Sequence, residues 1–358
     1  MYNQLNRHGR IQNILATHGY ENTDWFFKIV LCVFMVKPKI IIIAGPTASG
    51  KTSTGIELAL RFNGEIVSAD SMQVYRKMDI GTAKPGHREQ KGVRHHMLDL
   101  IDPDQEFNAA IYASMASSII RDIHKRKKTC FVVGGTGLYI KSLVYGLMPC
   151  PPADHKLREF LRHQCIKHGP EKLYRELERV DHEYAAKIHP NDTLRIVRAL
   201  EIICLTGHTP SMLAMKQAQT ESRYNTLSFF LYTDRQKLYH NIDKRADHMV
   251  KAGLLEETEG LLKQGYSPDL KPIKSLGYRH MVNYLKGIWS FDEAIQYLKR
   301  DTRRYAKRQI TWFKADQKMI WIEPDDIDKA AERIRSFLME TDETKPISQD
   351  SSVKRPRI

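Results

Sequence analysis

Lys39-Ile40-Ile41-Ile42-Ile43-Ala44-Gly45-Pro46-Thr47-Ala48-Ser49-Gly50-Lys51-Thr52 is the stretch that decides the fold. Lys39 to Ala44 is a β-branched apolar run with no polar alternation, the pattern of a strand covered on both faces. Gly45 to Thr52 matches G-x-x-x-x-G-K-[ST] without gaps, and the residues beyond predict a helix through about Phe62. Strand, glycine-rich turn and helix in that order make a phosphate cradle. Backbone N–H groups over Gly45, Thr47, Ala48, Ser49 and Gly50 converge on phosphate oxygens, and the helix N-terminus adds partial positive charge. Lys51 reaches the terminal phosphates, and the Thr52 hydroxyl is placed to hold Mg²⁺. The motif calls for a di- or triphosphate without choosing between them.

Working outward, Glu65 to Ala69 reads as a second strand with Asp70 at its carboxyl end. Asp104 to Arg126 reads as a capped helix with Ile111, Met115, Ile119 and Ile123 on its apolar face. Thr129 to Val133 is a third strand, closed by Gly134-Gly135-Thr136-Gly137. Alternating strands and helices predict an α/β fold: a P-loop NTPase-like parallel sheet flanked by helices. Pro149-Cys150-Pro151-Pro152 interrupts the rhythm, and residues 149–215 read as an all-helical insertion. Leu227 to Tyr232 returns as a strand. Residues 37–148 and 216–340 then form the core. Residues 1–36 read as an extension, with Met35 as an alternative start and a transit peptide as a minor option. Residues 341–358 read as a disordered polar tail.

The 358 residues carry a net charge of +14, which favours a polyanionic partner without requiring one. The five cysteines show no Cys-x-x-Cys pair, which argues against a disulfide framework and a cysteine zinc site. The apolar run Ile29 to Val36 is too short to span a bilayer. These features predict a cytoplasmic protein with no membrane partner; a monomer is the expected state, although no feature of the sequence sets it.

Four further places carry chemistry. Asp70 sits at a strand end, where open α/β sheets bind ligands; it reads equally as a general base and as a helix N-cap before Ser71. The third strand ends in glycines rather than the acidic residue of an energy-coupling NTPase, which favours a transferase. On Phe291 to Ala315, Ile295, Leu298, Thr302, Tyr305, Gln309 and Trp312 share one face. Arg300, Arg303, Arg304, Lys307 and Arg308 share the other, with Asp301 the single acid among them, too few to neutralise the row. Such a row suits tracking RNA phosphates, with a solvated charged face as the alternative reading. In the insertion, Asn191-Asp192 can cap a helix carrying Arg195 and Arg198, while Arg245 reads either as an internal ion-pair partner or as a second cation on the phosphates.

Together these motifs resemble the tRNA dimethylallyltransferase (isopentenyltransferase) family in its bacterial form. Besides Gly45 to Thr52, the matching stretches include Ser68 to Tyr75, Asp79-Ile80-Gly81-Thr82-Ala83-Lys84-Pro85 and Gly134 to Tyr139. Later ones are Asn191-Asp192 with Arg195 to Glu201, Gly253-Leu254-Leu255-Glu256-Glu257, Ser275-Leu276-Gly277-Tyr278-Arg279, and Lys307-Arg308-Gln309 with Trp312. The resemblance implies transfer of a dimethylallyl group from dimethylallyl diphosphate to N6 of the adenosine beside the anticodon. It implies that Lys51, Thr52 with Mg²⁺ and Arg245 neutralise the leaving diphosphate, that Asp70 takes the amine proton, and that Thr136 helps to hold the adenosine. Ser71, Met72 and Gln73 would lie beside the base. Arg195, Arg198, Gly277, Tyr278, Arg279, Arg303, Arg304, Lys307 and Arg308 would contact the anticodon stem-loop. The competing expectations are a small-molecule P-loop kinase, an adenylate prenyltransferase and an RNA-dependent NTPase.

Overall fold

The computed structural model describes residues 37–147 and 150–340, so the readings of residues 1–36 and 341–358 lie outside the described residues. Six strands form one parallel sheet: β1 (Lys39–Ala44), β2 (Gly64–Ser68), β3 (His95–His96), β4 (Thr129–Gly134), β5 (Asn225–Leu231) and β6 (Ile320–Ile322), in the order β3-β2-β4-β1-β5-β6. β1 lies between β4 and β5, so both its faces are covered. Ile40, Ile42 and Ala44 enter one apolar cluster, and Ile41 and Ile43 the other. The period of two in a pleated strand accounts for this division, and for why the run tolerates no polar residue.

The helices follow in chain order. The N-terminal half of the core holds α1 (Lys51–Arg61), α2 (His87–Gln90), α3 (Ala109–Lys125) and α4 (Gly137–Tyr145). Five helices form the inserted stretch: α5 (His155–His168), α6 (Pro170–Val180), α7 (His182–Ala185), α8 (Thr193–Thr206) and α9 (Pro210–Ala218). After β5 come α10 (Arg235–Lys251), α11 (Leu254–Lys263), α12 (Tyr278–Leu285), α13 (Phe291–Lys314) and α14 (Ile327–Met339). Among the described residues, no helix is long and apolar enough to cross a membrane.

Two sequence expectations need correction. α3 starts at Ala109, where the Asn108 side chain accepts from the N–H groups of Ala110 and Ile111, and not near Asp104. Its buried face is Tyr112, Ala113, Ala116, Ile120 and Ile123, while Met115 is exposed. Alanines let the helix approach the sheet, and Tyr112 stacks on Tyr139 at 4.4 Å. A count of large apolar residues therefore finds a neighbouring stripe. β3 and β6, of two and three residues, are too short to show any period.

The inserted helices build their own apolar cluster from Leu161, Leu173, Leu177, Ile188, Ile196 and Val197. Asp192 caps α8 by accepting from the Arg195 N–H. Glu201 of α8 is fully buried and accepts from Arg158, Arg198 and the Asp154 N–H. Burial pushes its carboxyl up, but the two guanidinium bonds outweigh that and hold it below the usual range.

Candidate active site

Every functional group here hangs from the carboxyl ends of the parallel strands or from helices crossing them. After β1 the chain turns through Ala48 at φ 64° and Gly50 at φ 86°, so that α1 starts directly at Lys51. The Ser49 hydroxyl is buried with no hydrogen-bond partner among the described residues. The Thr47 N–H is taken by Gln309 and the Ser49 N–H by the Pro46 oxygen, so the orphaned Ser49 hydroxyl is the loop donor that fits an anionic ligand.

A cavity of about 320 Å³ opens over these strand ends. Thr47, Lys51 and Thr52 form one wall, Asp70 to Gln73 a second, and Ile242, Arg245, Ala246 and Met249 of α10 a third. Leu298, Thr302, Tyr305, Arg308 and Gln309 of α13 close it. Both cations at its base, Lys51 and Arg245, are half-buried. Burial, with repulsion from Arg245, pulls Lys51 from 10.5 to about 8, partly countered by Asp70. Burial likewise lowers Arg245, again countered by Asp70. Two half-buried cations share Asp70 in the cavity, with Glu89 acting on Arg245 as well, and a diphosphate placed between them would neutralise their charge. Ile242, Ala246, Met249 and Leu298 supply apolar surface beside it.

Asp70 accepts from the Met72 N–H at 2.9 Å, and the residues after it form turns, so it does not cap a helix. Its Oδ1 fixes the loop while the carboxylate lines the cavity. The Thr136 Oγ1 accepts from the Ser71 N–H at 3.1 Å, which ties the turn after β4 to the loop after β2. Thr136 also bonds the Tyr305 hydroxyl, whose acidity is suppressed first by burial and then by Asp70. Thr136 itself is not among the cavity-lining residues.

The glycines of this turn are explained by close approach, and what approaches is the protein itself. A Cβ on Gly134 would fall 2.3 Å from the Ala69 oxygen, and one on Gly135 2.2 Å from Gln309 Nε2. Gln309, only 6% exposed, accepts from the Thr47 N–H at 2.9 Å and donates to the Gly135 oxygen at 3.0 Å. One amide thereby locks the phosphate loop and the second glycine turn to α13. The sequence placed Gln309 on a buried face; a polar residue within an apolar stripe was the signal of its role. Tyr305 was legible only as a member of the same stripe.

At the far end of the cavity Gln73 donates to the Ala83 oxygen at 3.2 Å, and Glu257 accepts from the N–H groups of Asp79, Ile80 and Gly81. Tyr278 is fully buried and donates to Glu257 at 2.5 Å, so it cannot touch RNA as expected; it shapes the 79–81 loop from behind. Gly277 and Arg279 do line the cavity.

The cationic row on α13 is also less free than one acid implied. Asp301 pairs with Arg279, Arg300 and Arg304, and α10 contributes Asp243 to Arg303 and Asp247 to Lys299. Counting acids on one helix misses partners from another. Lys307 and Arg308 have no ion-pair partner among the described residues, and Arg308 lies 5.7 Å from the Tyr305 ring centre. Arg195 and Arg198 stand on α8, away from the cavity walls; Arg198 is pinned to buried Glu201, which leaves Arg195 the more exposed of the two.

Among the described residues no group of three or more His, Cys, Asp or Glu could cage a metal. Mg²⁺ needs no such cage, since it keeps several waters and binds through phosphate and one or two protein oxygens. Thr52 and Asp70 on one cavity fit that demand.

Residues 73–316 match the family model for IPP transferase. The tRNA dimethylallyltransferase of Desulfatibacillum aliphaticivorans is 46% identical over 302 residues, 84% of this chain and 99% of that protein. The tRNA dimethylallyltransferase 2 of Geotalea uraniireducens is 49% identical over 287 residues, 80% of this chain and 93% of that protein. Among solved structures, the tRNA isopentenylpyrophosphate transferase of Bacillus halodurans aligns with a TM-score of 0.63 at 40% identity, covering 84% of this chain and 97% of that one. A eukaryotic dimethylallyltransferase acting on tRNA aligns with a TM-score of 0.70 at 29% identity, covering 83% and 78%.

Proposed function

The chain belongs to the IPP transferase family, and from that premise we infer that it transfers a dimethylallyl group to an adenosine of tRNA. The donor we propose is dimethylallyl diphosphate, the acceptor is N6 of the adenosine beside the anticodon, and the enzyme works as a cytoplasmic monomer. The observation that carries this reading is the pair of half-buried cations, Lys51 and Arg245, set against Asp70 in a cavity that also presents the apolar side chains Ile242, Ala246, Met249 and Leu298.

In the proposed reaction the diphosphate lies over the N–H groups of the phosphate loop, between Lys51 and Arg245. The prenyl tail rests on Ile242, Ala246, Met249 and Leu298. The bond between the amine nitrogen and the first prenyl carbon forms as the carbon–oxygen bond to diphosphate breaks. Electrons depart with the diphosphate, whose growing charge the two cations stabilise. Asp70 takes the amine proton. The Thr52 hydroxyl would hold Mg²⁺, which would supply further charge neutralisation when bound. Thr136 acts through its bonds to Ser71 and Tyr305, which hold the loop that bears Asp70. Arg279, Lys307, Arg308 and Arg195 would neutralise RNA phosphates, offsetting the few kcal/mol needed to unstack the base.

The test is transfer of label from dimethylallyl diphosphate to an unmodified tRNA with ATP absent. ATP turnover on a small molecule, with no label in RNA, would favour the kinase reading instead.

A further inference from the structure

A second cavity, of about 550 Å³, lies between α4, β5 and the C-terminal end of α13, and no step of the transfer uses it. It adjoins the catalytic cavity across the Gly134–Gly137 turn. Gln309 packs on Gly135 and lines the first cavity; Trp312 packs on Gly137 and lines the second. A Cβ on Gly137 would fall 2.1 Å from the Trp312 indole nitrogen.

Trp312 is unusual for its size, being 48% exposed, and its indole N–H has no hydrogen-bond partner among the described residues. Around it stand Tyr145, with Lys318 Nζ 5.6 Å from its ring centre, and Lys141, Thr226 and Ser228. An apolar ligand would leave the lysines and the indole N–H unused. A free anion would leave the aromatic faces unused. A planar heteroaromatic ring on an anionic backbone uses all of them. Gln309 and Trp312 are about one helical turn apart, about 5 Å, a distance that a single phosphodiester step spans.

We propose that this cavity is a second nucleobase pocket, in which Trp312 stacks the base of a nucleotide adjacent to the target adenosine on the same RNA strand. The proposal rests on the tRNA reading above and adds that a flanking base is held outside the loop stack together with the target.

The test is a binding cycle, read by fluorescence anisotropy on labelled anticodon hairpins. One hairpin is intact, and two others lack the base on one or the other side of the target. Removing the base at one flank should weaken binding to the native protein roughly ten- to a hundredfold. Trp312→Ala should weaken the intact hairpin by a similar factor, and removing that base should then cost nothing further. Trp312→Phe, which keeps a stacking face and loses the N–H, should recover part of the affinity. Strictly additive effects at both flanks, or unchanged binding in a Trp312→Ala protein of native Tm, would overturn the pocket. Native protein that binds the hairpin without transferring label sinks the reaction reading and leaves the cycle decisive. Native protein that does not bind at all overturns both.

Discussion

Raising the pH should weaken donor binding through Lys51 before any other group in the site responds. Burial holds this ammonium at about 8 against an ordinary 10.5, a gap worth about 3 kcal/mol. The sign follows directly. Below about pH 8 the folded protein carries a buried charge that disfavours it, and this cost is relieved as pH rises from there towards the ordinary value. A bound diphosphate favours the ammonium, so affinity should be flat below pH 8 and fall about tenfold for each pH unit above it. From pH 7 to pH 9 the loss is about tenfold, or about 1.4 kcal/mol. The ligand's own last ionisation, near pH 6 for phosphate esters, lies outside the window. Isothermal titration with dimethylallyl diphosphate at fixed Mg²⁺, in buffers of different ionisation enthalpy, measures both affinity and proton uptake. Lys51→Met should bind weakly with no break near pH 8. Affinity that stays flat through pH 9, or a break that survives in Lys51→Met, would refute the electrostatic account of this cavity.

Three further substitutions probe the frame around it. Gln309→Leu leaves the part-buried Thr47 N–H and the buried Gly135 oxygen without their partner; it should cost about 2 kcal/mol in denaturant unfolding and lower kcat beyond any change in KM. Gly134→Ala drives a Cβ into the Ala69 backbone at 2.3 Å, and should destabilise by about 3 kcal/mol, read as a lowered urea midpoint. Glu201→Ala removes the shared partner of Arg158 and Arg198, both about a third exposed; a loss of about 2 kcal/mol should appear as local hydrogen exchange in α5 and α8 before the core opens.

The central strand and phosphate loop were legible because their physics is local. Ile40 to Ile43 need no partner to announce a buried strand, and the spacing of Gly45, Gly50, Lys51 and Thr52 encodes the turn by itself. Asp70 was legible as a position, but its competing role as a helix cap was not resolved until the chain after it proved to be turns. What stayed hidden depends on long-range packing. Tyr278 looked like a polar contact because nothing in its neighbourhood says that Glu257 receives its hydroxyl. The α13 cations looked free because Asp243 and Asp247 come from another helix. The face of α3 shifted because Tyr112, Ala113 and Ala116 join Ile120 and Ile123 on its buried side.

The most direct measurement of the central claim pairs labelled dimethylallyl diphosphate and an unmodified tRNA with native protein and with Asp70→Ala. Native protein should place label on the adenosine beside the anticodon without ATP. Asp70→Ala should lose about a hundredfold or more in turnover while binding both substrates nearly as well as native protein. Full turnover at saturation in Asp70→Ala, with tRNA binding lost, would contradict the account.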